Sequence, residues 1–397
     1  MEPAVLDDIE HTLKSQGPEA AVNRLCDRLR EDKDYHALFY ALLMKKRHEL
    51  GVSPVPTGPA KDLPKSVHTA YEDAIRDAGR LVGGLYIQDG QLPQAWAYYR
   101  MLGEPAPMRA ALEAHTPADG EDLQPLVQIA FYEGVHPRKG FDWILDRFGI
   151  CSAITNIGGQ ELPHPAEDRQ YCLQRLVRAL YAELCGRLAA DIERHEGKRP
   201  AEADLAAATR GTVPKLIEGR DWLFADDGYH IDTSHLSSVV QMAVHLTPCD
   251  ELHLARELCA YGKRLSPRFH GRNDPPFEDL YEAHDRYLSV MTGDDVAGGL
   301  AYFEQQADKA EAEGEGTFPA EVLVNLLLRL ERPKDALAVA RKHLVKTEGR
   351  RLTCPGVAEL AQQVGDYRTL AEAAREQGDA VHFLAGLLGA RKGGGRA

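Results

Sequence analysis

The sequence predicts an all-α protein, an α-solenoid of antiparallel helix hairpins with an irregular central segment. Two observations carry this prediction. Aromatic residues make up only 7% of the 397 residues, whereas Ala, Leu, Arg and Glu are abundant, and this composition favours helix over sheet. Apolar residues also recur at helical spacing along most of the chain, between short breaks at Gly or Pro. Because short turns keep successive helices antiparallel, we expect a right-handed stack of helix pairs.

Residues 1–115 are predicted to form the N-terminal helical hairpins. Gly17 breaks the first amphipathic segment, and Pro18 then takes the first position of the next helix, where its missing N–H costs nothing. Residues 53–64 contain four prolines and no periodicity, which is typical of a linker or an extended surface loop. Further helices are expected on either side of this loop, over residues 35–50 and 66–88.

The helix predicted after the turn at Gly90 carries Ala95, Tyr99 and Leu102 on one face and ends before Pro105. A small side chain such as Ala95 lets two antiparallel helices approach closely. This pattern resembles the second helix of a tetratricopeptide repeat. The resemblance implies a TPR-like helical repeat, in which each hairpin leaves an apolar face that the next hairpin covers.

The C-terminal segment, residues 237–390, is predicted to consist of further TPR-like hairpins. Amphipathic helices alternate there with short breaks, for example at Gly293, Pro333 and Gly365. Residues 391–397 are basic and rich in glycine, and we expect them to form a flexible tail.

The central segment, residues 116–236, is predicted to be irregular and to hold the functional site. A nearly continuous helix of roughly 30 residues is expected over residues 165–195, well beyond the mean helix length of about 11–12 residues. The flanks of this helix, residues 134–164 and 219–236, are rich in Gly, Pro, His and aromatic residues. Within the first flank, residues 151–155 are predicted to be a short extended piece.

Charge and composition narrow the classes of partner and the location of the protein. A net charge of −14 argues against non-specific nucleic-acid binding, because a phosphate backbone recruits an excess of Lys and Arg. The acidic N-terminus lacks the pattern of a signal peptide, and no run of about 18 apolar residues is present, so no membrane span is expected. Seven scattered cysteines without CxxC spacing exclude a zinc ribbon and a disulfide framework, and they favour a reducing cytoplasm.

Two histidines and a carboxylate stand close together in the second flank. His230, Asp232 and His235 would form a facial triad for a divalent metal if they converged, or Asp232 would orient one imidazole as a general base. Ordinary helix-capping chemistry explains the same residues, with Asp232 or its neighbours as the cap and the histidines packed at an interface. The spacing matches no specific zinc motif, so the sequence leaves these alternatives open.

A second candidate group lies in the first flank. His136 precedes Pro137, which is expected to begin a helix, and Gly149 is expected to end that helix just before Cys151. Cys151 and His136 would form a nucleophile and base pair, or either would add a ligand beside His230, if the two flanks met in space. The alternative is that Cys151 is an inert free thiol.

The aromatic and acidic residues of the second flank allow a third interpretation. Trp222, Phe224 and Tyr229, together with Asp226 and Asp227, would line a groove for a basic peptide or a cationic ligand. The alternative is that the aromatic side chains fill the core beneath the loop, where they contribute buried area.

Two functional hypotheses from different classes follow. The first is a cytosolic helical-repeat scaffold that binds a protein or peptide in its concave face, since repeats stack into such surfaces and no strong catalytic motif competes. The second is an enzyme on a helical-repeat frame, metal-dependent or acid/base, with its site at residues 226–235. In the second hypothesis His230, Asp232 and His235 carry the chemistry, with Cys151 or His136 contributing.

Overall fold

The computed structural model describes residues 3–56, 63–158, 164–200, 209–271, 273–345 and 352–393. Within those ranges the protein contains twenty α-helices and no strand, and about 75% of it is helical. The prediction of an all-α protein is therefore confirmed for the described part. Most consecutive helices pack against one another, as short turns between amphipathic helices require.

The chain divides into two compact units. The first comprises Met1–Gly149 and Gln160–Asp168, and the second comprises Ile150–Gly159 and Arg169–Ala397. This division does not test the segment boundaries predicted at residues 115 and 236, which remain predictions.

Eight helices lie wholly within the first unit, and the helices predicted over residues 35–50 and 66–88 match two of them to within a few residues. They are α1 (Pro3–Gln16), α2 (Pro18–Glu31), α3 (Tyr35–Glu49), α4 (His68–Gln88), α5 (Leu92–Leu102), α6 (Ala106–Ala114), α7 (Gln124–Val127) and α8 (Pro137–Trp143). Wider π-helical turns follow α7 and α8, at Gln128–Tyr132 and Ile144–Phe148. Pro18 takes the first position of α2, as predicted. Of the predicted loop 53–64, residues 57–62 lie outside the described ranges.

The hairpin of α4 and α5 is packed closely through small residues. Ala95 is fully buried, and a Cβ atom placed on Gly83 would lie only 2.8 Å from the ring of Tyr99. The absence of a side chain at Gly83 lets the ring of Tyr99 approach α4 closely. The residues that carry the TPR-like pattern thus lie at a tight helix–helix contact.

The second unit holds the remaining helices. They are α9 (Gly149–Gly158), α10 (Ala166–Glu196), α11 (Thr212–Ile217), α12 (Thr233–Ala243), α13 (Asp250–Gly262), α14 (Leu280–Thr292), α15 (Val296–Glu313), α16 (Phe318–Arg329), α17 (Pro333–His343), α18 (Val357–Val364), α19 (Tyr367–Gln377) and α20 (Ala380–Gly393). The first residues of α9 and α10 are grouped with the first unit. From α12 onward each helix contacts the next, and α12 also contacts α14.

Two details of the predicted centre and tail are settled by these bounds. The long central helix is confirmed, because α10 runs for 31 residues. The prediction of an extended piece over residues 151–155 is wrong, since those residues lie inside α9, where Ala153 is fully buried. Burial of this apolar face stabilises the helix over the β-branched preference of Ile154 and Thr155. At the C-terminus α20 continues to Gly393, and residues 394–397 lie outside the described ranges.

Among the helices of the described ranges, none is long and apolar enough to cross a membrane. All seven cysteines are free thiols, and Cys172, Cys185 and Cys259 are buried.

Candidate functional site

Asp232 is the N-cap of α12. Its Oδ1 accepts hydrogen bonds from the backbone N–H of Ser234 at 2.8 Å and from that of His235 at 3.4 Å. Hydrogen bonds from Ser234 hold the pKa of the Asp232 carboxyl below its ordinary range. A carboxylate at this position satisfies two of the orphan N–H groups of the helix and interacts favourably with the helix dipole. The capping explanation therefore accounts for Asp232.

His230 is joined to two helices that lie far from it in the sequence. Its backbone N–H donates to the Tyr261 hydroxyl at 2.8 Å, and that hydroxyl also lies 3.0 Å from Nδ1 of the ring. The other ring nitrogen, Nε2, lies 3.4 Å from Oδ2 of Asp191 on α10. Only 6% of the His230 side chain is exposed. The residue thus fastens the loop before α12 to both α10 and α13.

The hydrogen bonds fix the form of the imidazole. Asp191 can only accept, so Nε2 carries the ring proton, and the Tyr261 hydroxyl then donates to Nδ1. Burial lowers the pKa of His230, while the nearby Asp191 opposes this shift, so the neutral ring is favoured at neutral pH. Both nitrogens are occupied within the protein, which leaves no lone pair or proton for a substrate.

The proposed metal triad is not assembled. Within the described ranges no three His, Cys, Asp or Glu side chains are grouped so as to hold a metal ion. Asp232 accepts bonds from the α12 N-terminus, and His230 is held by Tyr261 and Asp191. The idea that Asp232 orients His230 is corrected in the same way, because the carboxylate beside His230 is Asp191. Asp232 and His230 therefore have different partners, a local one for Asp232 and long-range ones for His230.

The aromatic residues Trp222 and Phe224 of the second flank, residues 219–236, pack against α10 and α13. Trp222 stacks on His195 of α10 with ring centres 3.9 Å apart. Phe224 packs on Tyr261 at 5.6 Å and lies 4.6 Å from the guanidinium carbon of Arg264. Both aromatic side chains are half-buried, so packing explains most of their surface.

The acidic residues Asp226 and Asp227 of the second flank form a strained, solvated turn. Asp226 and Asp227 have left-handed φ angles of 50° and 59°, a conformation that Asp tolerates better than most residues. Asp227 is paired with Arg268 at 2.7 Å, and Asp226 is exposed. Tyr229, which is 56% exposed, contacts Phe269. These residues form an acidic surface in which Asp227 already has a basic partner.

His136 and Cys151 belong to different units. His136 lies 2.8 Å from a carboxylate oxygen of Glu113 within the first unit. Cys151 is exposed near the start of α9. Their pairing as nucleophile and base stays a hypothesis.

A concave site lies elsewhere in the second unit. A groove of about 750 Å³ is lined by Gln241 of α12 and the two residues after that helix, Val244 and His245, by one face each of α14 and α16, by the loop at Asn273–Phe277 and by Thr353. The residues that α14 contributes, Leu280, His284 and Tyr287, follow one another at helical spacing. The volume falls in the range of ligand sites, about 300–1,000 Å³.

Arg329 lines the groove and anchors the end of α12. Its guanidinium donates to the backbone carbonyls of Val244 and Leu246 and to the Tyr287 hydroxyl at 3.1 Å. No carboxylate of the described residues lies within 4.0 Å of it. The groove thus carries the positive charge of Arg329, and the carboxylate of Asp274 lines it as well.

His284 lies in the wall of the groove with only 3% of its surface exposed. Its ring packs on Phe277 with centres 4.4 Å apart, and Nδ1 lies 2.7 Å from the Leu280 carbonyl oxygen. Burial lowers the pKa of His284 to about 4.

This groove was not predicted from the sequence. The available signal was a helix face that mixes apolar with polar residues, as at Val322 and Asn325 of α16. Such a face differs from a pure core stripe, in which every inward position is apolar.

Comparisons of the chain with protein families, with curated proteins and with solved structures gave no match. The fold and the groove therefore define it only as an all-helical protein with a concave site in its second unit.

Proposed function

We propose that this chain is a TPR-like helical-repeat scaffold that binds a protein or peptide in the groove of its second unit. One observation carries the proposal: α12, α14 and α16, which alternate with α13 and α15 along the chain, line the same groove. In a stack of helix pairs the first helices of successive pairs form the concave face, and such faces bind extended partners.

The lining supports a peptide rather than a polyanion. Apolar side chains such as Phe277, Val322 and Leu328 supply buried contact area, and Asn273 and Asn325 supply amide groups for a main chain. The net charge of −14 disfavours nucleic acid as the partner. A cytoplasmic location belongs to the same proposal and is supported by the free thiols.

Selection of random peptides displayed on phage against the immobilised full chain tests the proposal. Phe318, which is 45% exposed and lines the groove, is replaced in Phe318→Asp. The matched control is Leu384→Asp, because Leu384 is 56% exposed on α20, outside the groove. Both substitutions replace an exposed apolar side chain with a carboxylate.

We expect the selected peptides to lose at least about tenfold in affinity for Phe318→Asp, because a charge at an apolar contact must be desolvated. Their affinity for Leu384→Asp is expected to equal that for the unchanged chain. Failure to enrich any peptide, or equal binding to both variants, would refute the proposal.

A further inference from the structure

The helix α20 turns its small residues inward and its large apolar residues outward. A Cβ atom on Gly386 would lie 2.8 Å from the carbonyl oxygen of Tyr367, and one on Gly389 would overlap the Tyr367 ring. The two glycines therefore let α20 lie close against α19. In the described residues α20 exposes four large apolar side chains, whereas no other helix exposes more than two. The four are Val381, Leu384, Leu387 and Leu388.

These four side chains lie on one side of α20. They recur at intervals of three and four residues, which is the spacing of a seam along which helices pack. Arg391 continues the seam, because it is exposed and lies one turn beyond Leu387 and Leu388. The α20 face, formed by these five residues, is therefore apolar with a cation at its end, and the helix contains no acidic residue.

The helix α1 exposes a face of the complementary kind. Leu6 is 58% exposed and Leu13 is 48% exposed, and the two lie seven residues apart, the same interval that separates the first and last apolar residues of the α20 face. Asp7 and Glu10, between them in the sequence, are also exposed. The α1 face, formed by these four residues, therefore combines apolar side chains with negative charge.

Charge decides which faces pair. Two α1 faces would bring carboxylates together, which is unfavourable. Two α20 faces would offer Arg391 no carboxylate from the helix itself, and the carboxylate at its start, Asp379, already accepts hydrogen bonds from the N–H groups of Val381 and His382. When α20 lies antiparallel along α1, the end that carries Arg391 comes beside the half of α1 that carries Asp7. The helix dipoles are then opposed, which is also favourable.

We infer that the chain associates with a second copy of itself head to tail, with the α20 face of one copy packed antiparallel on the α1 face of the other. These faces lie outside the groove, so the inference stands apart from the proposed function. A contact between two single helix faces is smaller than the about 1,200–2,000 Å² of a stable interface. The dissociation constant is therefore expected to be roughly 1–100 µM.

Two variants that each block one face test this pairing. Leu6→Asp blocks the α1 face and Leu384→Asp blocks the α20 face, because the new carboxylate would have to be desolvated in the contact. Sedimentation equilibrium gives the mass of the full chain from about 1 µM to about 100 µM, the range of the expected affinity. The mass of the unchanged chain should rise with concentration. Met101→Asp, at an exposed position of α5, is the control and should associate as the unchanged chain does.

Each blocked variant should stay monomeric alone, whereas their equimolar mixture should form a dimer, since each supplies the face that the other lacks. An unchanged chain that stays monomeric, or a mixture of folded variants that stays monomeric, overturns the inference. Association of Leu6→Asp alone would show that two α20 faces pair, and association of Leu384→Asp alone would show that two α1 faces pair. Either result also overturns it.

A charge reversal decides the matter if either blocked variant fails to fold. Arg391→Glu places like charges at the contact with α1, and it should weaken the association of the full chain several-fold. Equal association of Arg391→Glu and the unchanged chain would refute α1 as the partner. Leu384→Asp is expected to lose self-association and to keep the peptide affinity of the groove, so failure of one proposal leaves the other standing.

Discussion

The hydroxyl oxygen of Tyr261 lies 3.0 Å from Nδ1 of His230 and 2.8 Å from the backbone nitrogen of the same residue. One buried side chain on α13 thus satisfies both the backbone and the ring of a residue in the loop before α12. On the other side of the ring, Nε2 of His230 lies 3.4 Å from Oδ2 of Asp191 on α10. At His230 the loop before α12 is therefore bound to both α10 and α13, and this contact has a structural role.

This relationship predicts the cost of removing one hydroxyl. Tyr261→Phe keeps the ring but leaves the N–H and Nδ1 of His230 without partners, and we expect a loss of about 1–3 kcal/mol in the free energy of unfolding. Urea denaturation measures the change. Tyr229→Phe is the control, because Tyr229 is 56% exposed, and it should stay within about 0.5 kcal/mol of the unchanged chain. Equal effects of the two substitutions would contradict the role given to Tyr261.

A second prediction concerns the start of α12. Asp232→Ala removes the acceptor for the N–H groups of Ser234 and His235, and it should lower the free energy of unfolding by about 1 kcal/mol. Asp232→Asn keeps a capping oxygen and should cost much less, although it removes the negative charge. Denaturant titration of both variants decides the matter. A large loss in Asp232→Asn would show that the charge, rather than the cap, is what the residue provides.

Several helices of this protein could be predicted from the sequence because their determinants are local. The periodic apolar positions of α10 and the proline at the start of α2 are visible within a few residues of the chain. The same locality explains why Asp232 was recognised as a helix cap among the alternatives.

The partners in the site could not be predicted, because they depend on tertiary packing. His230 lies close to Asp232 in the sequence, yet its carboxylate partner is Asp191, on a helix that ended more than thirty residues earlier. The groove was missed for the same reason. Its walls come from three helices whose inward residues each resemble ordinary packing positions when taken alone.

A third prediction uses two adjacent glycines of α4. A Cβ atom at Gly83 would lie 2.8 Å from the ring of Tyr99, whereas one at Gly84 meets nothing closer than 3.8 Å. Gly83→Ala should therefore destabilise the hairpin by about 1–3 kcal/mol through overpacking. Gly84→Ala should be neutral or stabilising by up to about 1 kcal/mol, because Ala has the higher helix propensity. Thermal unfolding compares the two, and the same sign for both would argue against the close contact of α4 and α5.

The fourth prediction follows from the buried ring of His284. Its pKa is about 4 in the folded protein against 6.5 for an ordinary histidine. As the pH falls through 6.5, the unfolded chain takes up a proton that the folded chain refuses, so stability decreases toward pH 4. At about 1.36 kcal/mol for each unit of pKa difference, this residue removes about 3 kcal/mol of stability across that interval.

His284→Phe removes this titration while leaving the carboxylates and the other histidines in place. We expect the free energy of unfolding of the variant to fall less steeply between pH 6.5 and 5, by up to about 1.4 kcal/mol for each pH unit. Urea titrations at a series of pH values measure both slopes, and the slope is independent of any constant loss that the substitution causes. Parallel slopes would mean that His284 takes up its proton equally readily in the folded and unfolded chains, and that its ring is more hydrated than its 3% exposure implies.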